Sequence, residues 1–553
     1  MGTWTRVRNS LLFLLVLSCV ALAGCAGVRD HQGVSVAPAA EEAGCTEPNT
    51  AVADYFALIR SAPQELVKLM TLFPKGGDIH NHLAGTVRPE DYIAMGSDAG
   101  HCYDPLEYAI TALPCTVANP PLSEASPAER QSLINSLSMH DFPYPNIQAG
   151  HDHFFAAFDK FGLVSGSMQG NMLGSLLRQA EAENVGYVET MLSLQSAAVA
   201  SLAEKLRQRY PASGPYYTDS RSYLEMYNYL RSIGLVQVEL AAKEELSGYV
   251  DQMRYLLGCG TSRSAPACAV SFRFLAEVNN RNADLPRMFT QTAFAFLLAN
   301  NDPRVVGVNM VSDENLASST QEFATQMAIF RSYHQWFTEV DIAIHAGEIT
   351  PCFVGTNNPA LKEHVTGAIT AGAKRLGHGS SFAFLDERAK AEVVHLMQQQ
   401  DTLVEILLTS NAQTLGLSGN DHPFPQYFRT NLLPSAFATD YEGVSYASYT
   451  DAWLFAVLQY QLSYEELMAL ARFSLQYSFL PGAPLWQEVR AAQAVAPCGG
   501  LVPGSSEITE ECRDFLQQSE KATMQWWHEG ELARFNQNYG DRLRQYLGSG
   551  RQQ

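Results

Sequence analysis

The chain predicts a (β/α)8 barrel, on three observations. Short apolar runs that read as buried parallel strands alternate with helical patterns along most of the 553 residues. Widely separated fragments end such runs in polar side chains: Asp78-Ile79-His80-Asn81-His82, Ile344-His345-Ala346-Gly347-Glu348, Leu376-Gly377-His378-Gly379, Ser410-Asn411 and Ala438-Thr439-Asp440. One fold delivers residues from many strand ends to a single point, the C-terminal mouth of a barrel.

The elements follow in order. A helix is expected over Val52–Leu72, with Leu58, Leu66 and Leu69 on one face, stopped by Pro74, Gly76 and Gly77. The first strand is expected at Asp78–Leu83. Residues near 96–148, rich in Pro, Ser and Asn and carrying Cys102 and Cys115, read as a cysteine-bearing insertion too long for a simple barrel loop. A helix over Met168–Glu183 leads to a strand at Tyr187–Ser193. Leu202–Ser232 interrupts the alternation, with Pro211, Gly214 and Pro215 marking a loop. A helix near Glu239–Leu257 leads to a strand at Val270–Val278, with Val236–Leu240 competing as a strand. The remaining strands are expected at Val305–Val311, Asp341–His345, Arg375–Gly377, Leu403–Leu408 and Ser435–Asp440. After Leu480 the chain reads as a helical tail docked by Trp526 and Trp527.

A barrel takes roughly 250 residues, so the excess belongs to extensions and insertions. Hydrophobic residues at 46% and charged residues at 17% fit a large globular core. A net charge of −20 repels phosphate backbones and argues against nucleic acid polymers as partners. Arg6 and Arg8 precede an apolar run from Leu11 to Leu22, too short to span a bilayer, which reads as an export signal over residues 1–24. Leu22-Ala23-Gly24-Cys25 looks like a bacterial lipoprotein box. Residues 25–50 would then form a lipidated Cys25 and a tether, holding the protein to a membrane on the periplasmic side or at the outer surface of the outer membrane. Ala26 resembles outer-membrane sorting. The barrel is expected over 51–480 and the appendage over 481–553. Outside the reducing cytosol, local cysteines pair. Cys102–Cys115, Cys259–Cys268 and Cys498–Cys512 are the short loops, and Cys45–Cys352 remains by elimination.

The chemistry is read from the strand ends. His80 and His82, two apart on a strand, point to one side and can grip one ion. With His345 and Asp440 they make a nitrogen-rich site suited to one Zn²⁺ per chain, with a water at the next position whose pKa falls towards 7. Glu348, three residues after His345, can stand beside the metal and hand a proton to a substrate nitrogen. His378 can orient the attacking oxygen or accept its proton. A lone buried histidine is usually a satisfied core residue; the set in barrel order argues for a site. His151, His153 and His422 read as surface, capping or structural residues.

Taken together, Pro74-Lys75-Gly76-Gly77-Asp78-Ile79-His80-Asn81-His82-Leu83, His345-Ala346-Gly347-Glu348, Arg375-Leu376-Gly377-His378-Gly379, Thr409-Ser410-Asn411 and Thr439-Asp440 resemble the adenosine deaminase family. The likeness spans roughly Phe56 to Leu480 and includes Ala182-Glu183-Asn184-Val185-Gly186-Tyr187-Val188-Glu189. The Pro-Lys-Gly-Gly lead-in, export and the insertion look like the secreted, growth-factor-related branch. The resemblance implies Zn²⁺ on His80, His82, His345 and Asp440, attack on purine C6, protonation of N1 by Glu348 and assistance from His378. It also implies adenosine or deoxyadenosine as substrate, for nucleoside salvage. Three positions depart from the family. Ala84 stands where a carboxylate would meet the ribose, Ser312 where glycine is usual, and Tyr441 where a second Asp would bind purine N7. These departures favour, as alternatives, a deaminase or amidohydrolase of another amine-bearing heterocycle, or a catalytically decayed nucleoside-binding lipoprotein.

Overall fold

The computed structural model describes residues 48–549, apart from Ser61, Asn282 and Ser312. The export signal, Cys25 and Cys45 lie outside the described residues. The barrel strands are β1 Gly77–His82, β2 Tyr187–Leu192, β3 Ser271–Asn279, β4 Val305–Val311, β5 Asp341–Ala346, β6 Arg375–His378, β7 Leu403–Ile406 and β8 Ser435–Phe437. They form one 8-stranded sheet in sequential order, each pair parallel. Helices between the strands bury one face on it, as a parallel sheet requires. Val236–Leu240 lies inside the helix Leu235–Leu257, which settles the competing assignment.

The ring closes at the site itself. Asn81 and Asp440 form an isolated parallel bridge, in which Asp440 N donates to His80 O at 2.9 Å and His82 N donates to Asp440 O at 3.0 Å. Asp78 staples the same seam by accepting from Thr439 N at 3.1 Å and from Thr439 Oγ1 at 2.6 Å. Barrel closure therefore brings the His80/His82 pair against Asp440.

Two expectations about helices need correction. The expected helix over 52–72 is two helices, Pro48–Ile59 and Pro63–Leu72. Pro63 lacks an N–H and disfavours helical backbone in the residue before it, so the first helix stops short. Leu66 and Leu69 are buried, but Leu58 is exposed. The Leu202–Ser232 interruption is mostly helical, Ser196–Arg209 and Ser220–Ser232, and only the Pro/Gly segment between them is loop.

Residues 102–111 form a small hairpin, Cys102–Asp104 with Ala109–Thr111, tied by the Cys102–Cys115 disulfide. Cys259–Cys268 and Cys498–Cys512 are bonded as expected. Cys352 is exposed and has no partner among the described residues. The chain ends in the helices Glu510–Gln517 and Glu520–Ser549. Trp527 lies so close to Gly186, just before β2, that any side chain at 186 would strike its ring.

Candidate active site

Four ring or carboxylate atoms from strand ends converge on one point at the C-terminal mouth. His345 Nε2 lies 3.1 Å from His80 Nε2 and 3.1 Å from His82 Nε2, and Asp440 Oδ1 lies 3.5 Å from each of the latter two. Ligands about 2.0–2.1 Å from a tetrahedral ion stand roughly 3.3–3.4 Å apart, so these spacings suit one Zn²⁺-sized ion.

The tautomers say the same. His345 Nδ1 donates to Asn309 Oδ1 at 2.9 Å, which leaves Nε2 a bare lone pair facing two other ring nitrogens. His80 Nδ1 donates to Glu405 Oε2 at 2.6 Å, and Asp440 Oδ1 is buried without a hydrogen-bond partner. Lone pairs and an orphaned carboxylate oxygen crowding one buried point need a cation between them.

Charge reinforces the point. Burial holds His82 near a pKa of about 3 and drives His345 well below its usual value, so both are neutral imidazoles. Burial also opposes a charge on His80, but Glu405 and Asp440 outweigh it and hold the ring at about 9. Burial would raise Asp440, yet His80, 3.5 Å away, and the other surrounding histidines pull it down to about 2. The two carboxylates thus call for positive charge at this centre.

His378 competes with His82 for a place in the cluster, since one ligand atom each from His80, His345, His378 and Asp440 lie within 4.8 Å of one another. A hydrogen-bond chain decides between them. Phe424 N donates to His422 Nδ1 at 3.1 Å, so the His422 proton sits on Nε2, which donates to Asn411 Oδ1 at 3.0 Å. Ser380 Oγ donates to the same oxygen at 2.9 Å. The Asn411 amide is thereby oriented, and its Nδ2 donates to His378 Nδ1 at 2.9 Å. Burial lowers His378 to about 4, so the ring is neutral and carries its one proton on Nε2, pointing into the site. A protonated nitrogen cannot ligate a metal. His82 is therefore the better placed of the two to offer a third histidine lone pair, while His378 turns an N–H towards the site.

Glu348 leaves β5 through Gly347, whose φ of +90° suits glycine and where an added Cβ would stand only 2.7 Å from Ser381 Oγ. Gly347 N and Glu348 N both donate to the Glu314 carboxylate at 2.8 Å, and His364 Nδ1 holds that carboxylate from behind at 2.5 Å. Glu348 Oε2 ends 3.7 Å from His378 Nε2. Burial, then the charges of Asp440, Glu314 and Asp313, hold its carboxyl well above the usual range, which favours the acid form. Asp440 and His378 both adopt left-handed backbone, φ +61° and +65°, which costs side-chain-bearing residues about 1–3 kcal/mol each and clusters at functional sites.

Of the substrate positions, Ala84 is exposed on the turn after β1, and Ser312 lies outside the described residues. Tyr441 lays its ring on His82, centroids 4.2 Å apart at 14°, with Phe154 and Phe158 edge-on. His151 was expected at the surface or as a cap. Instead it is buried, 3.4 Å from Asp313 Oδ1, because Asn146 caps its helix by accepting from Ala149 N.

Sequence reading missed the residues behind the ligands. Glu405, Asn309 and Glu314 fix His80, His345 and the Glu348 turn. Arg375 bridges Glu189 and Glu405 at 2.5 and 2.7 Å beneath the centre. Their signal was present: a carboxylate or amide inside an apolar strand run needs a buried partner.

The barrel carries three imidazoles and one carboxylate arranged as a group that could hold a metal ion. Residues 240–487 match the family model for adenosine deaminase. The matched stretch holds His345, Glu348, His378 and Asp440, while His80 and His82 precede it. An adenosine deaminase of Enterococcus faecalis is 31% identical over 142 residues, 26% of this chain and 37% of that protein. An N6-methyl-AMP deaminase of Danio rerio is 22% identical over 212 residues, 38% of this chain and 56% of that protein. The chain thus spans little more than half the length of the curated relatives at most. Among solved structures, the arabidopsis N6-methyl-AMP deaminase has a TM-score of 0.48 at 17% identity, covering 77% of this chain and 97% of that one. A zinc-bound amidohydrolase from Burkholderia ambifaria has a TM-score of 0.44 at 14% identity, covering 77% and 90%.

Proposed function

We propose that the protein is a Zn²⁺-dependent hydrolytic deaminase that converts adenosine or deoxyadenosine to the inosine form with release of ammonia. The observation that carries this reading is the position of Glu348, a buried carboxyl 3.7 Å from His378 Nε2 at the edge of a buried cluster suited to a metal ion, where burial and neighbouring carboxylates favour its acid form. Pure binding needs no such acid. His80, His82, His345 and Asp440 would hold the ion, which when bound supplies a Lewis acid that lowers the pKa of water. Glu348 gives its proton to the ring nitrogen beside the amine-bearing carbon as water adds there. His378 Nε2–H holds the attacking oxygen in line; that oxygen returns one proton to the Glu348 carboxylate and passes the other to the amine, which leaves as ammonia as the ring carbonyl forms.

Ala84 and Tyr441 favour a second reading, in which the same chemistry acts on another amine-bearing heterocycle, an N6-substituted aminopurine included. Ammonia or methylamine release should be assayed with adenosine, deoxyadenosine, adenine and N6-methyl-AMP. Turnover of adenosine and deoxyadenosine above the rest supports the first reading. Preference for another amine supports the second, and no amine release from any of them defeats both. Export as a lipoprotein anchored through Cys25 is also proposed, supported by the Leu22-Ala23-Gly24-Cys25 box and by the disulfides, which belong to oxidising compartments.

A further inference from the structure

Tyr441 directly follows Asp440, at the seam where β8 meets β1. Its ring is held by three aromatic neighbours and a glycine. One face lies on His82, with centroids 4.2 Å apart and planes 14° apart. Phe154 and Phe158, both on the helix Ile147–Ser165, meet it edge-on at 5.6 and 4.9 Å. Gly85 leaves the ring its space, since an added Cβ there would strike Tyr441 Cδ1. The hydroxyl hydrogen-bonds to no described residue.

A 6-aminopurine in the proposed site has C6 at the metal cluster and N1 at Glu348, just past β5. In a purine, N1 and C5 flank C6 on opposite sides, and N7 is bonded to C5. The C5–N7 edge therefore points away from Glu348, across the barrel. With 8 strands in sequential order, the strand opposite β5 is β1, and Tyr441 stands beside it. What N7 meets there is hydrocarbon. Aspartate or asparagine would hold polar atoms two bonds beyond Cβ, where tyrosine has only ring carbons and keeps its one polar atom across the ring. The neighbouring Glu442 turns to Arg88, 3.8 Å away.

Resting on the deaminase reading, we propose that Tyr441 is a specificity-determining residue that leaves N7 unread: the site admits 7-deazapurine nucleosides, in which a C–H replaces that nitrogen, as readily as purine nucleosides. Calorimetric titration of the purified protein with inosine and with 7-deazainosine tests it. Both are reaction products, so the different reactivity of the two rings does not enter. Wild type should bind them within about twofold of each other, and Tyr441→Phe should keep that ratio. Tyr441→Asn puts a short amide N–H beside N7 and should favour inosine by about fivefold, the worth of one neutral hydrogen bond. A wild-type preference for inosine of about fivefold or more overturns the proposal and needs no variant to fold; its loss in Tyr441→Phe would make the hydroxyl the reader of N7. A Tyr441→Asn protein as indifferent as wild type also overturns it, by taking the role from Tyr441, and so does absence of binding by both nucleosides. The deaminase reading fails by a different result, inosine bound but no amine released from any 6-amino substrate.

Discussion

Asn411→Asp distinguishes a donor His378 from a basic one by the sign of its effect. In the native site Asn411 Nδ2 donates to His378 Nδ1 across 2.9 Å, which puts the imidazole proton on Nε2. Aspartate has nearly the same shape and still accepts from Ser380 and His422, but it has no N–H to offer. His378 must then turn its proton to Nδ1 and present a lone pair to the site. The donor aimed at the attacking oxygen is lost, and loss of one such preorganised donor costs about 10²–10³ in kcat. The carboxylate also raises the His378 pKa from its native value of about 4. Below the new pKa the ring is doubly protonated and Nε2–H returns, so the variant should recover relative to wild type as pH falls. The assay is steady-state amine release across pH with zinc content measured in parallel. Were His378 a base, the introduced carboxylate would strengthen it, and kcat equal to or above wild type near pH 7 would refute the donor assignment.

Two further outcomes follow from the geometry. Glu348→Gln keeps the size and the Glu314-anchored turn but removes the transferable proton, so kcat should fall by at least ~10² with zinc retained; near-native turnover would assign the acid role elsewhere. Lys75 is buried and donates to Met70 O at 2.7 Å and Glu183 O at 2.5 Å, satisfying a carbonyl in the last turn of Pro63–Leu72. Lys75→Met should destabilise the fold by about 2–4 kcal/mol in urea denaturation, by leaving buried carbonyls unpaired; an unchanged midpoint would mean the lysine is dispensable.

Most of the barrel was legible because its signals are local. Strand period two placed His80 and His82 together, and apolar runs located the eight strands of the sheet. Short spacing identified the bonded cysteine pairs. What escaped depends on contacts across the fold. Nothing local says that Glu405, 325 residues from His80, orients its ring, or that Glu314 reaches 34 residues ahead to hold Glu348 N. The His378 tautomer needed Phe424, His422 and Asn411 placed in space. Pro63 was a local signal overlooked, since apolar periodicity continues through it while the backbone cannot.

In the proposed site His80, His82, His345 and Asp440 hold the metal and His378 does not. Elemental analysis of the purified wild type, His82→Ala, Asp440→Ala and His378→Gln, in one series, tests it most directly. Wild type and His378→Gln should carry about one zinc per chain, and His82→Ala and Asp440→Ala far less, as for a site that loses one of its protein ligands. Full zinc in His82→Ala with loss in His378→Gln would exchange the two histidines and contradict the account.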